Sequence, residues 1–177
     1  MAQWEDVARE LVAARYGTLV GYARLVAGPR DAEDIVQEAL IATFSKPRGL
    51  TSVPVAEAYV RRAIVTRFLD QARRRSRAAT DSVESVDVAV ASATDLVADS
   101  LDLGAALSRL APRERACVAL RYLDGLSVSE TARVLGLAEG SVRRYVSDGI
   151  AKLSGILGTE DVVDDASFVR VSRGGAR

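Results

Sequence analysis

SVSETARVLGLAEGSVRRYVSDGIAKL, residues 127–153, carries the pattern of a helix-turn-helix. Ser127 and Glu130 have the spacing of a capping box, in which each side chain satisfies an orphan backbone N–H at a helix start. Val128, Ala132 and Leu135 recur at i, i+4, i+7 and give one apolar face. Gly136 suits the left-handed conformation that ends a helix. A second helix is expected from Glu139 to Leu153. Val142, Val146, Gly149 and Leu153 fall on one side of it, which turns Arg143, Arg144, Ser147 and Asp148 outward. In such a motif the second helix enters the major groove and its early residues touch base edges. Taken alone, the segment also fits an ordinary antiparallel helix pair with a solvated polar face.

Composition narrows the classes. Apolar residues make up 49% of the 177 and aromatics only 5%, so the cores must be mostly Ala, Val and Leu. With four prolines, that composition favours helices. No stretch approaches the length of an uncharged apolar membrane span, and the start has no basic–apolar–cleavage pattern, so a soluble cytoplasmic chain without membrane association is expected. There is no histidine and one cysteine, Cys117. A Cys/His zinc site, an intrachain disulfide and a His-based catalytic triad are thereby excluded within the chain. Cys117 lies in a helical pattern and reads as a small core residue.

The net charge is zero but segregated. Residues 1–77 carry 13 Lys/Arg against 9 Asp/Glu, and residues 109–158 carry 8 against 5. Between them, residues 78–108 hold six acids (Asp81, Glu84, Asp87, Asp95, Asp99, Asp102) and no base. Two basic blocks across an acidic bridge suggest two modules with anionic partners.

Working outward, a first helix is expected over Trp4–Ala27, interrupted or bent near Gly17 and Gly21. After the Gly28-Pro29-Arg30 break, Asp31 is placed to cap a helix, DAEDIVQEALIATFSK, with Glu33 and Asp34 at its positive end. Ile35, Leu40 and Phe44 mark its apolar side. Residues 47–54 read as a loop. A third helix over 55–76 has Val60, Ala63, Ile64 and Phe68 as a stripe and ends in Arg73, Arg74, Arg75 and Arg77. Residues 78–100 read as a linker with a nascent helix near its end. Pro112 opens a helix that runs to Leu123 and stops at Gly125. The tail, 159–177, is expected to be mobile, with Val162, Val163, Phe168, Val169 and Val171 available for a short docked element.

DAEDIVQEAL (31–40), AYVRRAIVTRFLDQARRR (58–75) and LAPRERACVALRYLDGLSVSETARVLGLAEGSVRRYVSDGIAKL (110–153) together resemble the extracytoplasmic-function (ECF) class of bacterial RNA polymerase sigma factors. The resemblance implies an all-α fold of two small helical domains joined by a flexible acidic linker, the second containing the helix-turn-helix. It divides the chain into a region 2 domain (1–77), a linker (78–100), a region 4 domain (101–158) and the tail. It also implies a function: binding core RNA polymerase, recognising −35 and −10 promoter elements and assisting DNA melting, with no catalysis and no cofactor or metal.

The site residues follow from the same resemblance. Asp31, Glu33, Asp34, Gln37 and Glu38 look like the face that docks on the coiled coil of the polymerase β′ subunit; the β subunit is a further implied contact. Arg61, Arg62, Thr66, Arg67, Asp70, Arg73 and Arg74 look like the −10 reader. There a base must leave the stack while basic side chains track phosphates. The loop Lys46–Pro54 matches the segment that shapes the flipped-base pocket. Arg143, Arg144, Ser141 and Ser147 look like the −35 reader, since Arg pairs bidentately with guanine and Ser bonds phosphates or bases. Arg113 and Arg115 are placed for backbone contact. The acidic linker would suit the positively charged RNA-exit region. Promoter DNA, core polymerase and an anti-sigma protein are the implied partners.

Three positions depart from the family pattern. Thr66 stands where many members have Asn, Phe44 where many have Trp, and Asp148 where many have Arg. Asp148 either accepts from a cytosine amine or pairs with Arg144 at i−4. A stand-alone helix-turn-helix regulator is the alternative reading; it accounts for the second module and leaves 31–40 and 58–75 unexplained. An enzyme would need a phosphate loop, metal cluster or nucleophile–base pair, and the sequence has none.

Overall fold

The computed structural model describes residues 3–46, 49–81 and 98–157. Every regular element among them is helical: α1 (Gln3–Ala27), α2 (Ala32–Phe44), α3 (Val53–Asp81), α4 (Ala98–Ser108), α5 (Pro112–Val118), α6 (Val128–Leu135) and α7 (Glu139–Leu157), with a π-helical turn, Ala119–Leu123, continuing α5.

α1, α2 and α3 pack on one another. Leu11, Leu19 and Val26 of α1, Ile35 and Val36 of α2, and Val60, Ile64 and Val65 of α3 are fully buried. Each such side chain contributes about 1.5–3 kcal/mol on leaving water. Trp4 and Phe44 stack at 6.3 Å, closing one end of this core. α1 is one continuous helix, so of the interruption or bend expected near Gly17 and Gly21 the interruption does not occur. Each glycine costs about 1 kcal/mol relative to Ala, and burial of Leu19, Val20, Tyr22 and Ala23 around them outweighs that.

α3 is longer at both ends than the expected 55–76. Pro54 falls in its first turn, where the ring is tolerated and no helical N–H is lost. Its C-terminal extension runs through Ala78 and Ala79, strong helix formers. Arg73–Asp70 and Arg75–Gln71, each 3.3 Å apart, brace the turn before it. The expected linker is therefore shorter: helix enters it from both sides, through Asp81 and from Ala98. Residues 82–97 and the tail beyond Leu157 lie outside the described residues.

Asp31 stands at the N-cap position of α2, but its carboxylate makes no cap hydrogen bond. It accepts instead from Arg75 Nη2 at 2.5 Å, tying the start of α2 to the end of α3. The charge pair outcompetes the neutral backbone donor because both partners are ionised.

α4 to α7 form the second group. Part of their core is shared with the first: Ala116, Cys117, Ala119, Leu120, Leu126, Ala132, Leu135 and Val142 belong to one continuous apolar cluster with the buried residues of α1–α3, while Ala106, Leu107, Leu110, Val118 and Leu153 form a cluster of their own. α4 lies against α1, where Leu25 approaches Gly104, and α5 lies against α3. Burial pushes the Cys117 thiol up to about 11, so it stays protonated and unreactive in the fold.

Candidate nucleic-acid interface

The helix-turn-helix forms as its sequence requires. Glu130 N–H donates to Ser127 Oγ at 3.1 Å, and Ser127 N–H donates to Glu130 Oε2 at 2.8 Å, completing the capping box. Those bonds hold the Glu130 carboxyl below its ordinary range. Gly136 closes α6 in the left-handed region at φ 63°, ψ 38°. Leu137 N–H then donates to Ala132 O at 2.9 Å.

Val142, Gly149 and Leu153 are buried along one side of α7. A Cβ at Gly149 would stand 2.8 Å from Val118 Cγ2, so only glycine lets α7 cross α5 this closely. Beside that crossing Lys152 Nζ donates to both carboxylate oxygens of Glu114, at 2.7 and 2.8 Å. Glu114 also accepts from the Ala111 N–H at 3.0 Å. These contacts fix the rotation of α7 about its axis, and so which residues it presents.

The presented face is Arg143, Arg144, Ser147 and Asp148, all exposed, with Ser141 half-buried. Arg143 pairs with Glu139 one turn back at 2.9 Å. The Arg144 guanidinium lies 5.2 Å over the Tyr145 ring. Arg113 of α5 reaches the same patch by donating to the Tyr145 hydroxyl at 3.2 Å, which lowers that phenol's pKa. Among the described residues Asp148 forms no ion pair with Arg144.

Arg115 is placed otherwise. Its guanidinium turns inward, donating to Ser108 O at 2.7 Å, Leu110 O at 3.2 Å and Val26 O at 3.1 Å, and lies 5.2 Å over the Phe68 ring. It is a structural residue in this conformation, not a neighbour of Arg113 on the exposed face. Sequence alone could not separate them, because both are single arginines two positions apart on a short helix.

The basic helix α3 is divided by its surroundings. Arg73 and Arg74 are exposed, and Arg62 is half-buried with its guanidinium 5.8 Å over Tyr59. Arg67 and Arg74 line an open groove between α2 and α3 with Glu38, Ile41, Ser45 and Lys46. Residues expected to bind two different partners thus share one surface. Thr66 is half-buried, its hydroxyl donating to Ala63 O at 2.9 Å, and Asp70 accepts from Arg73. Arg61 points away from that groove toward the second group of helices, against Tyr22, Leu123 and Asp124.

On α2, Glu33, Asp34, Gln37 and Glu38 form an exposed acidic and amide stripe, backed by buried Ile35, Val36 and Ala39. Asp31, with its carboxylate on Arg75, is the member of the expected docking set drawn off this stripe. Ile41, 68% exposed, extends the stripe with an apolar residue that the sequence reading missed. Among the described residues no helix is long and apolar enough to cross a membrane.

Comparison with known proteins accounts for both groups of helices. Residues 11–78 match the family Sigma-70 region 2, and residues 100–153 match Sigma-70, region 4. The chain is 32% identical to the RNA polymerase sigma-E factor of Streptomyces avermitilis over 154 residues, covering 86% of each. It is 32% identical to the ECF RNA polymerase sigma factor SigF of Caulobacter vibrioides, covering 68% of this chain and 67% of that one. Among solved structures, the sigma factor RpoE of Bartonella quintana, crystallised in complex with the anti-sigma factor NepR, superposes with a TM-score of 0.62 at 25% identity. The match covers 86% of this chain and 98% of that one. With both modules matched in order and relatives aligned over most of their length, the chain belongs to the ECF RNA polymerase sigma factors, which initiate transcription without catalysing a reaction.

Proposed function

We propose that the chain binds core RNA polymerase through the exposed stripe of α2, reads a −10 element and assists melting with α3, and reads a −35 element with α7. The observation that carries this reading is the exposed face of α7. Arg143 and Arg144 stand on the second helix of the motif, whose rotation is fixed by Gly149 and by Glu114–Lys152. Arg can read guanine bidentately in the major groove. The −10 role is supported by the open groove holding Arg67, Arg74 and Lys46, where backbone phosphates would find positive charge beside the flipped-base loop. Glu33, Asp34, Gln37 and Glu38 suit a basic partner helix. The Bartonella sigma factor has an anti-sigma partner, and we assign this chain a partner of the same kind.

The test is run-off transcription from fragmented genomic DNA with purified core polymerase. Discrete start sites preceded by two shared sequence elements are expected; absence of any initiation would sink the reading. Replacing Asp34 and Glu38 with Lys is expected to abolish co-elution with core polymerase while leaving the helical circular dichroism intact. Undiminished co-elution would rule out α2 as the docking face.

A further inference from the structure

Arg61 belongs to the basic helix assigned to −10 DNA, yet it is occupied by the second module. Its Nη2 donates to Leu123 O at 3.1 Å, and its guanidinium lies 4.2 Å over the Tyr22 ring. Its Nε stands 2.6 Å from Asp124 Oδ1, a charge contact in which Nε lacks hydrogen-bond alignment. Tyr22 in turn donates to Asp124 Oδ2 at 2.8 Å. The Asp124 side chain is only 8% exposed.

The backbone that presents Asp124 is unusual. The helix after Val118 widens into the π turn Ala119–Leu123, so that Asp124 N–H reaches back to Ala119 O at 3.2 Å. Gly125 then reverses the chain at φ 68°. Inserted π turns re-aim the residues that follow them, and here they direct Leu123 O and the Asp124 carboxylate at one guanidinium. A second contact, Arg115 to Val26 O and over Phe68, joins the same two modules.

We propose that Asp124 is a built-in stand-in for a DNA phosphate, holding Arg61 in a closed form of the chain that must open before α3 engages promoter DNA. A carboxylate and a phosphate oxygen compete for the same guanidinium geometry. Closure and phosphate binding at Arg61 are therefore mutually exclusive. The apparent affinity of the free chain for DNA is reduced by the fraction that is closed. The inference rests on the assignment of α3 to DNA.

The experiment attaches a donor and acceptor dye at Arg30→Cys and Arg133→Cys, one exposed site on each module, with Cys117 left buried. High transfer efficiency is expected in the full chain, and a drop is expected in Asp124→Arg and in Arg61→Asp, where like charges meet. The double variant Arg61→Asp/Asp124→Arg restores the pair with its charges exchanged and should return the high value, which an unfolding artefact would not do. Unchanged transfer in both single variants, or no recovery in the double, overturns the closed form. Affinity for a short fluorescein-labelled single-stranded DNA of mixed sequence is read alongside. Asp124→Ala should bind about tenfold more tightly than the parent chain, and adding Arg61→Ala should remove that gain. Opening without any effect of Arg61→Ala on DNA would leave the closed form standing and refute the assignment of Arg61 to phosphate.

Discussion

Arg143 and Arg144 stand side by side on the exposed turn of α7, but their local partners differ. Arg143 is paired with Glu139, whereas Arg144 lies against an aromatic face and, among the described residues, pairs with no carboxylate. Arg144 is therefore the better placed for a base. Arg144→Ala is expected to cost roughly 1–3 kcal/mol at promoters with the preferred −35 sequence. Binding measured across −35 variants checks this, since an equal loss on every sequence marks a phosphate contact. Arg115→Ala should behave oppositely. Its guanidinium is bound to three carbonyls, and burial lowers its pKa. Removal leaves those acceptors short of a donor, at about 1–3 kcal/mol. Thermal unfolding should shift down with −35 discrimination unchanged. Both arginines read as DNA contacts in the sequence, because residue type and spacing do not say which way a side chain turns.

At the scale of elements, the helix-turn-helix was the most legible part of the chain. Ser127, Glu130 and Gly136 each act within a few residues of themselves, and local chemistry of that kind survives into the fold. The ends of α3 were less legible, because Pro54 reads as a loop residue and the Ala-rich continuation reads as linker until the helix is seen to pass through both. Lys152 and Thr131 left no sequence signal, since the one is paired and the other buried through packing that the local sequence does not encode, and nothing local marks Glu114 as the partner of Lys152. Gly149 reads as one more residue on an apolar face, yet it is where α7 touches Val118. Gly149→Ala is expected to destabilise by about 1–3 kcal/mol through overpacking. Val118→Ala in the same background should recover part of the loss in a thermal-denaturation cycle. Additive losses would show that the two sites do not meet.

For the whole molecule, the decisive contact is the one between modules. Burial, against the opposing pull of Arg61 and the Tyr22 hydroxyl, holds the Asp124 carboxyl above its ordinary range. A group whose pKa is raised in the closed form binds its proton more tightly there than in the open form. Its contribution to closure is thus largest below the ordinary carboxylate value and falls as pH rises through the raised one. Mild acid, from about pH 7 to about pH 5, should not release the modules. Dye transfer that drops on acidification would contradict this, and the charged groups facing Asp124 (Arg61 and Arg62 of α3, with Tyr22 of α1) give no other acid-labile link.

The sequence by itself determined the helical class, the two basic modules in order, the helix-turn-helix and the family, because caps, periodicity and charge blocks are local and additive. Only the tertiary structure decided which arginines face outward, that Asp31 serves Arg75 instead of the α2 backbone, and that Asp124 meets Arg61. Those outcomes depend on contacts 44 to 89 residues apart in the chain, with Arg61 and Leu123 62 apart. Pairings across such distances are set by how the helices pack, and no local pattern encodes them.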